Sequence, residues 1–166
     1  MAGASGGVGG ALIQLVKLRG ARVIALASTE KHEAVRALGA DRLLPRSPEN
    51  LEADLADERV TVVADVVGGP DWHNVIEVLE RGGRYVSSGA IAGPIVELDL
   101  RTFYLRDLTL LGSTVIPPEV TENLIRYIES KAIRPVLAAS YPLEQLREAQ
   151  TAFIAKAHTG NIVVTP

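Results

Sequence analysis

The sequence predicts an α/β fold, a doubly wound parallel sheet with helices on both faces. Three observations predict it. Short apolar runs of strand length alternate with amphipathic stretches of helical spacing along the whole chain. The run VTVVADVV (60–67) is almost wholly apolar, the pattern of a strand buried on both faces. And a glycine-rich loop, GASGGVGG, leads straight into the first helical stretch. No internal repeat and no linker divides the 166 residues into halves.

The elements follow in order. Val8, Leu12, Leu15, Val16 and Arg19 stand at helical spacing, with Gly20 as the stop. RVIALA (22–27) reads as a strand. STEKHEAVRALGA then reads as a helix, with Ser28 or Thr29 as N-cap and Gly39 as its end. RLLP (42–45) is a short strand, and a short helix fits near Glu49–Leu55. After the strand 60–67 a helix is expected over 71–80, ended by Gly82-Gly83, then strands RYVSSG (84–89) and LTLLGSTV (108–115). IVELDL and the segment with Phe103 and Tyr104 read as a connection between them. Pro117-Pro118 opens a helix over 119–131. PVLAASYP, a helix over 143–157 and the strand NIVVT (161–165) complete the chain.

Composition narrows the function. Hydrophobic residues make up 47%, enough for a sizeable core. The net charge of −3 is spread among interspersed acids and bases, so no basic stripe suggests nucleic acid. There is no cysteine, hence no disulfide and no thiolate metal site or nucleophile. No signal peptide or membrane-spanning run is seen, and a cytoplasmic location is expected. His32, His73 and His158 are scattered at non-ligand spacing, so no metal site is expected.

The glycine loop carries the main chemical signal. Gly3, Gly6 and Gly9 form G-x-x-G-x-x-G before a helix, a strand and a second helix. Glycine permits the tight turn and lets backbone N–H groups approach a pyrophosphate, while the helix N-terminus adds positive potential. Gly3, Ser5, Gly6, Gly7, Val8 and Gly9 are therefore candidate cofactor-binding residues of a Rossmann-type sheet. A P-loop is disfavoured, since the G-K-[ST] ending is absent. Only Met1-Ala2 stand before the loop, where this fold places its central first strand. The sequence thus reads as a Rossmann-type domain that is N-terminally truncated, with strand 1 largely absent and its two neighbours short of a ladder partner.

GASGGVGGALIQLVKLRGARVIAL, ALGAD, DVVGG, LERGGRYVSSGAIAG, LLGSTV and HTGNIVVTP, in that order, resemble the medium-chain dehydrogenase/reductase superfamily (the zinc-binding alcohol dehydrogenase family). The resemblance is greatest to its quinone oxidoreductase, zeta-crystallin-like branch, and covers essentially the whole chain. It implies an NAD(P)-binding Rossmann domain over residues 1–131. It also implies a C-terminal segment, 132–166, that in the family packs on a GroES-like catalytic domain. One departure is Asn161, where the family usually has lysine.

The cofactor reading follows from the strand tips. A carboxylate after the second strand would grip the ribose hydroxyls of NAD; here Ser28 stands at the tip, followed by Thr29 and Lys31. Their hydroxyls and ammonium suit a phosphate, Arg46 adds a bidentate donor, and the branch resembled prefers NADPH, so NADP(H) is expected over NAD(H). Glu30 is the feature against it. By resemblance, Val67 and Gly68 lie along the cofactor, and Gly89, Ala90 and Ile91 approach its nicotinamide half. Asp65 reads as a structural or capping residue. No catalytic acid or base is assigned.

The resemblance implies hydride transfer between NADPH and a quinone or an activated carbonyl or alkene. Two other readings stand beside it: a non-catalytic cofactor-binding module, and a truncated fragment. A third comes from Tyr127 and Lys131, which match the Y-x-x-x-K pair of short-chain dehydrogenases. The resemblance also makes 108–115 the candidate edge for a homodimer, since an exposed apolar edge is otherwise a liability.

Overall fold

The computed structural model describes residues 1–166. Side-chain alternation along β1 (Ile24–Leu26) and its flanks divides the core in two. Val23, Ala25 and Ala27 join Ala4, Ile13, Val35 and Ala40 under α1 (Gly7–Lys17) and α2 (His32–Ala37). Leu26 points the other way, into a larger cluster with Leu44, Val63, Trp72, Ile76 and Leu79. That second cluster packs under α3 (Leu51–Asp54) and α4 (Trp72–Glu77). Helices thus cover both faces, as a doubly wound sheet requires. Burial of side chains such as Ile13, Ile76 and Leu79 contributes about 1.5–3 kcal/mol each.

All ladders are parallel. β2 (Arg42–Leu44) pairs with β1, Ala25 facing Leu43. β3 (Val60–Asp65), β4 (Leu79–Ser87) and β5 (Thr109–Gly112) form a second sheet, Val63 facing Tyr85 and Tyr85 facing Leu110. Between the two sheets stand Met1 and Ala2. The Leu26 N–H donates to the Met1 carbonyl (2.9 Å), the Met1 nitrogen donates to the Ile24 carbonyl (2.8 Å), and the Ala2 N–H donates to the Ala64 carbonyl (3.0 Å). These two residues thus stand in the ladder between β1 and β3. They set the order β2-β1-(Met1–Ala2)-β3-β4-β5.

β6 (Leu137–Pro142) and β7 (Asn161–Thr165) form a separate parallel pair, packed with α7 (Leu146–Ala155). This unit is tied back to the first helix. The Gln14 side chain donates to the Arg134 carbonyl and accepts from its N–H, at 3.0 and 2.8 Å. No helix is long and apolar enough to cross a membrane.

Several boundaries differ from the sequence reading. The helix expected to run to Gly82-Gly83 stops at Glu77, and β4 begins at Leu79, which pairs with Val60. Gly82 lies within that strand and donates to the Arg106 carbonyl at 2.8 Å. The connection before β5 contains a helix, α5 (Leu100–Leu105), started by the Asp99 carboxylate accepting from the Arg101 N–H. The helix expected over 143–157 is a 3-10 turn (Leu143–Gln145) followed by α7. α6 (Pro118–Glu129) ends before Lys131, whose φ of 58° places it in a left-handed turn. Tyr127 and Lys131 are therefore not one turn apart on a helix face, and the short-chain dehydrogenase pairing is corrected on that ground.

Candidate functional site

The first ten residues turn sharply because two positions admit nothing but glycine. A Cβ on Gly9 would lie 2.2 Å from the Gly3 carbonyl oxygen and 2.8 Å from the Ala4 Cα, both backbone atoms that cannot swing aside. Gly3 has φ +73°, and a Cβ there would strike the Val66 side chain at 2.4 Å. The loop is thus pressed against both the start of α1 and the loop after β3. Gly6 caps α1 with extended backbone and no side-chain cap, and Gly10 donates to its carbonyl. The N–H groups of Val8 and Gly9 have no acceptor within the chain, while that of Gly7 is turned toward the Gly160 carbonyl by the Gly6–Gly160 bridge. Two open donors at a helix N-terminus with no acidic residue in its first turn make an anion cradle. Val8 points outward, 60% exposed.

Two further loops come to the same end of the sheet. After β3, Val66–Gly69 pairs with Ala90–Gly93: the Ala92 N–H donates to the Val67 carbonyl (2.8 Å) and Gly69 to the Gly93 carbonyl (3.0 Å). Gly68 and Gly93 form a parallel bridge, and Gly89 lies close over the Val66 backbone. Asp65 organises this turn from below. It is 3% exposed, and its carboxylate accepts from the Val67 N–H (2.7 Å), the Gly68 N–H (3.2 Å) and the Tyr85 hydroxyl (2.8 Å). Tyr85 also stands edge-on to Trp72, with ring centroids 5.6 Å apart. Burial, then the Asp65 carboxylate, raises the Tyr85 hydroxyl above its usual pKa. The structural role read for Asp65 is the one these bonds give it.

The structure brings together Gly3, Ser5, Gly6, Gly7, Val8 and Gly9 with Val67, Gly68, Gly89, Ala90 and Ile91 at the carboxyl ends of β1, β3 and β4. Sequence reasoning missed a further component, the arm before β7. The Gly160 N–H donates to the Ser5 carbonyl (3.0 Å), Gly160 bridges Gly6, and Asn161 Oδ1 covers Gly7, 2.4 Å from where a Cβ would stand. The signal was the glycine-asparagine pair at 160–161, read only as the start of a strand.

The tip of β1 forms a second group. Ser28 begins a 3-10 turn over Thr29–Lys31, and Thr29 is exposed. Lys31 does not point freely outward: its ammonium donates to the carbonyls of Lys156 and His158, the latter at 2.7 Å. Burial, then the neighbouring Arg46 charge, lowers its pKa. Arg46 is exposed beside Glu30, whose pKa is lowered first by its own backbone N–H and then by the Ser28 hydroxyl. Arg46 is thus the cation of this group that remains open to a ligand.

Parallel strands whose carboxyl ends carry a glycine turn into an open helix N-terminus place this chain among the Rossmann-type, nucleotide-binding α/β domains. Comparison with known proteins narrows this: residues 7–130 match the zinc-binding dehydrogenase family, and the chain belongs to it. It is 31% identical over 165 residues to the acryloyl-coenzyme A reductase of Metallosphaera sedula, covering 98% of this chain and 49% of that protein. It is 36% identical over 166 residues to the chloroplastic NADPH-dependent alkenal/one oxidoreductase of Arabidopsis thaliana, covering 98% and 39%. Among solved structures, a Sinorhizobium meliloti protein assigned as an alcohol dehydrogenase superposes with a TM-score of 0.95 at 45% identity, over 100% of this chain and 47% of that one. A 2-octenoyl-CoA carboxylase reductase solved with NADP and 2-octenoyl-CoA superposes at 0.86 with 27% identity, over 97% and 41%. The chain spans about half the length of the relatives it matches.

The residues of this chain do not fit the zinc of the family's name. It has no cysteine, and no three histidine, aspartate or glutamate side chains come together. His32 Nε2 lies 3.1 Å from the Ala27 carbonyl and His73 Nδ1 3.1 Å from that of Pro70.

Proposed function

We propose that this chain is the NADP(H)-binding portion of an oxidoreductase that passes hydride between NADPH and an activated alkene, an activated carbonyl or a quinone. The observation that carries the reading is the cradle: the open N–H groups of Val8 and Gly9 at the start of α1, held between the Val66–Gly69 turn and the Gly160–Asn161 arm. Those donors suit a pyrophosphate. Val67, Gly68, Gly89, Ala90 and Ile91 would line the path toward the nicotinamide. Ser28, Thr29 and Arg46 would meet the adenosine 2′-phosphate, and Lys31 would fix the 156–158 arm beside it. When bound, the nicotinamide supplies or accepts the hydride. The chain's own residues position it and exclude water, and none is assigned as an acid or base. The substrate class is supported by relatives named for acryloyl-CoA and for alkenals and enones.

The test is a thermal melt and a titration with NADPH and with NADH. NADPH at a hundred times its dissociation constant should add about 2.7 kcal/mol of stability. Arg46→Ala should weaken NADPH about ten- to a hundredfold, the loss of one charge-assisted pair, and leave NADH nearly unchanged. Equal binding of the two cofactors by the unaltered chain would overturn the NADP assignment. No binding of either would overturn the cofactor reading itself.

We further propose that the 108–115 edge joins two copies. β5 is the edge strand of its sheet, and Leu111 and Val115 are 48% and 86% exposed.

A further inference from the structure

The buried carboxylate of Asp65, at the end of β3, reaches past the turn it touches. A trans peptide holds its N–H and its carbonyl on opposite sides. The Val67 N–H that donates to Asp65 Oδ1 (2.7 Å) therefore turns the Val66 carbonyl away from the carboxylate. That carbonyl accepts from the Ile91 N–H (3.4 Å). The next peptide repeats the arrangement. The Gly68 N–H donates to Asp65 Oδ2 (3.2 Å), and the Val67 carbonyl on its far side accepts from the Ala92 N–H (2.8 Å). Two peptide groups thus stand in series between one buried anion and the loop after β4. Bonds to a charged acceptor are about twice as strong as neutral ones, and each polarises the bond beyond it.

The two loops have no slack between them. A Cβ on Gly68 would lie 2.7 Å from the Gly93 carbonyl oxygen, and one on Gly69 would lie 2.8 Å from the Ala92 Cβ. No side chain fits between the backbones at these points, so a peptide that turns in the first loop must shift the second. Tyr85 gives the carboxylate its remaining donor from within the core, where its ring meets Trp72.

We propose that Asp65 is a positioning residue for the nicotinamide end of the cofactor. Its carboxylate makes no bond to the Gly89–Ala92 wall, yet it sets where that wall stands through the Val66–Val67 and Val67–Gly68 peptides. The inference rests on the cofactor reading above, and it separates the two ends of the dinucleotide. The donors to this carboxylate are Val67, Gly68 and Tyr85, so neither the start of α1 nor Arg46 hangs on it directly. Loss of the carboxylate should be felt at the nicotinamide and not at the phosphates.

The test uses the full 166-residue chain, NADPH, and 2′-phospho-ADP-ribose, which carries the same phosphates without the nicotinamide. Asp65→Asn keeps the shape of the side chain but puts an NH2 group where one acceptor oxygen stood. Amide exchange at Ala92 should quicken about tenfold, while Val35, in the other core, keeps its protection. NADPH should bind about tenfold more weakly, and 2′-phospho-ADP-ribose within about twofold of the parent. Asp65→Ser, which is smaller and can still accept one N–H bond, is the second variant and carries the same expectations. Tyr85→Phe removes a bond to the same carboxylate but leaves both peptides in place. It should change neither the exchange at Ala92 nor the ratio of the two affinities. The proposal is overturned if both Asp65 variants leave Ala92 exchange as in the parent, or if the two ligands weaken equally. It is overturned equally if Tyr85→Phe does all that Asp65→Asn does. Binding of neither nucleotide by the unaltered chain would overturn the cofactor reading instead, while exchange at Ala92 would still decide whether Asp65 holds the second loop.

Discussion

At Gly9 a single methyl group decides whether the loop closes. Gly9→Ala would drive its Cβ into the Gly3 carbonyl and the Ala4 backbone. A cost of about 1–3 kcal/mol is expected, with loss of cofactor binding beyond what the lower stability explains. Gly6→Ala is the contrasting case, because its Cβ would sit 3.6 Å from the same carbonyl and its φ is −80°. That variant should melt close to the parent. Asp65 sets a second test. Asp65→Ala strands the Tyr85 hydroxyl and two loop N–H groups, and should cost about 2–4 kcal/mol, against about 1–2 for Tyr85→Phe. Asp41 supplies a pH dependence. Its carboxylate accepts from Lys17 Nζ (2.9 Å) and the Val23 N–H (2.7 Å), which hold its pKa below the usual value. The folded pKa being the lower one, this stabilisation is complete above about pH 4, the unfolded value, and is lost as pH falls through the folded value. Urea titrations across that range should show Asp41→Asn with a shallower acid loss than the parent.

The elements follow the same local rules, with instructive failures. The glycine loop, α1, β1 and β3 were legible because their signals are local: glycine spacing, helical periodicity and apolar runs. The start of β4 was not legible, because Leu79–Gly83 is strand only by pairing with Val60 and by the bond from Gly82 to Arg106. Nothing within LERGG announces either partner. α5 was hidden in IVELDL and its sequel because its start depends on one side chain, Asp99. In the site, Gly3–Gly9 was readable and the Gly160–Asn161 arm was not, since its role arises from a partner 155 residues earlier in the chain. β5 carries a prediction at this scale. Leu111→Lys should shift any dimer toward monomer in sedimentation and leave the melt of the monomer nearly unchanged, since Leu111 is half exposed.

For the whole molecule, two cores lie on opposite faces of the parallel strands β1–β5, and the loops at their carboxyl ends meet in a single cradle. The 132–166 segment is fastened to the glycine loop, α1 and the tip of β1 by bonds of Ser5 with Gly160, Gln14 with Arg134, and Lys31 with Lys156 and His158. Lys31→Ala should loosen the arm and speed exchange around 156–160, while the cores, which it does not touch, keep their protection. The bond from Gly160 to Ser5 has one more consequence, for the order of assembly. It closes a loop nearly as long as the chain, and contacts so distant in sequence form late in folding. During synthesis α1 and β1 emerge well before residues 160–161 and can pack early, but the phosphate cradle they begin cannot be finished until Gly160 and Asn161 are made. Refolding followed by cofactor binding should therefore lag behind refolding followed by helix content.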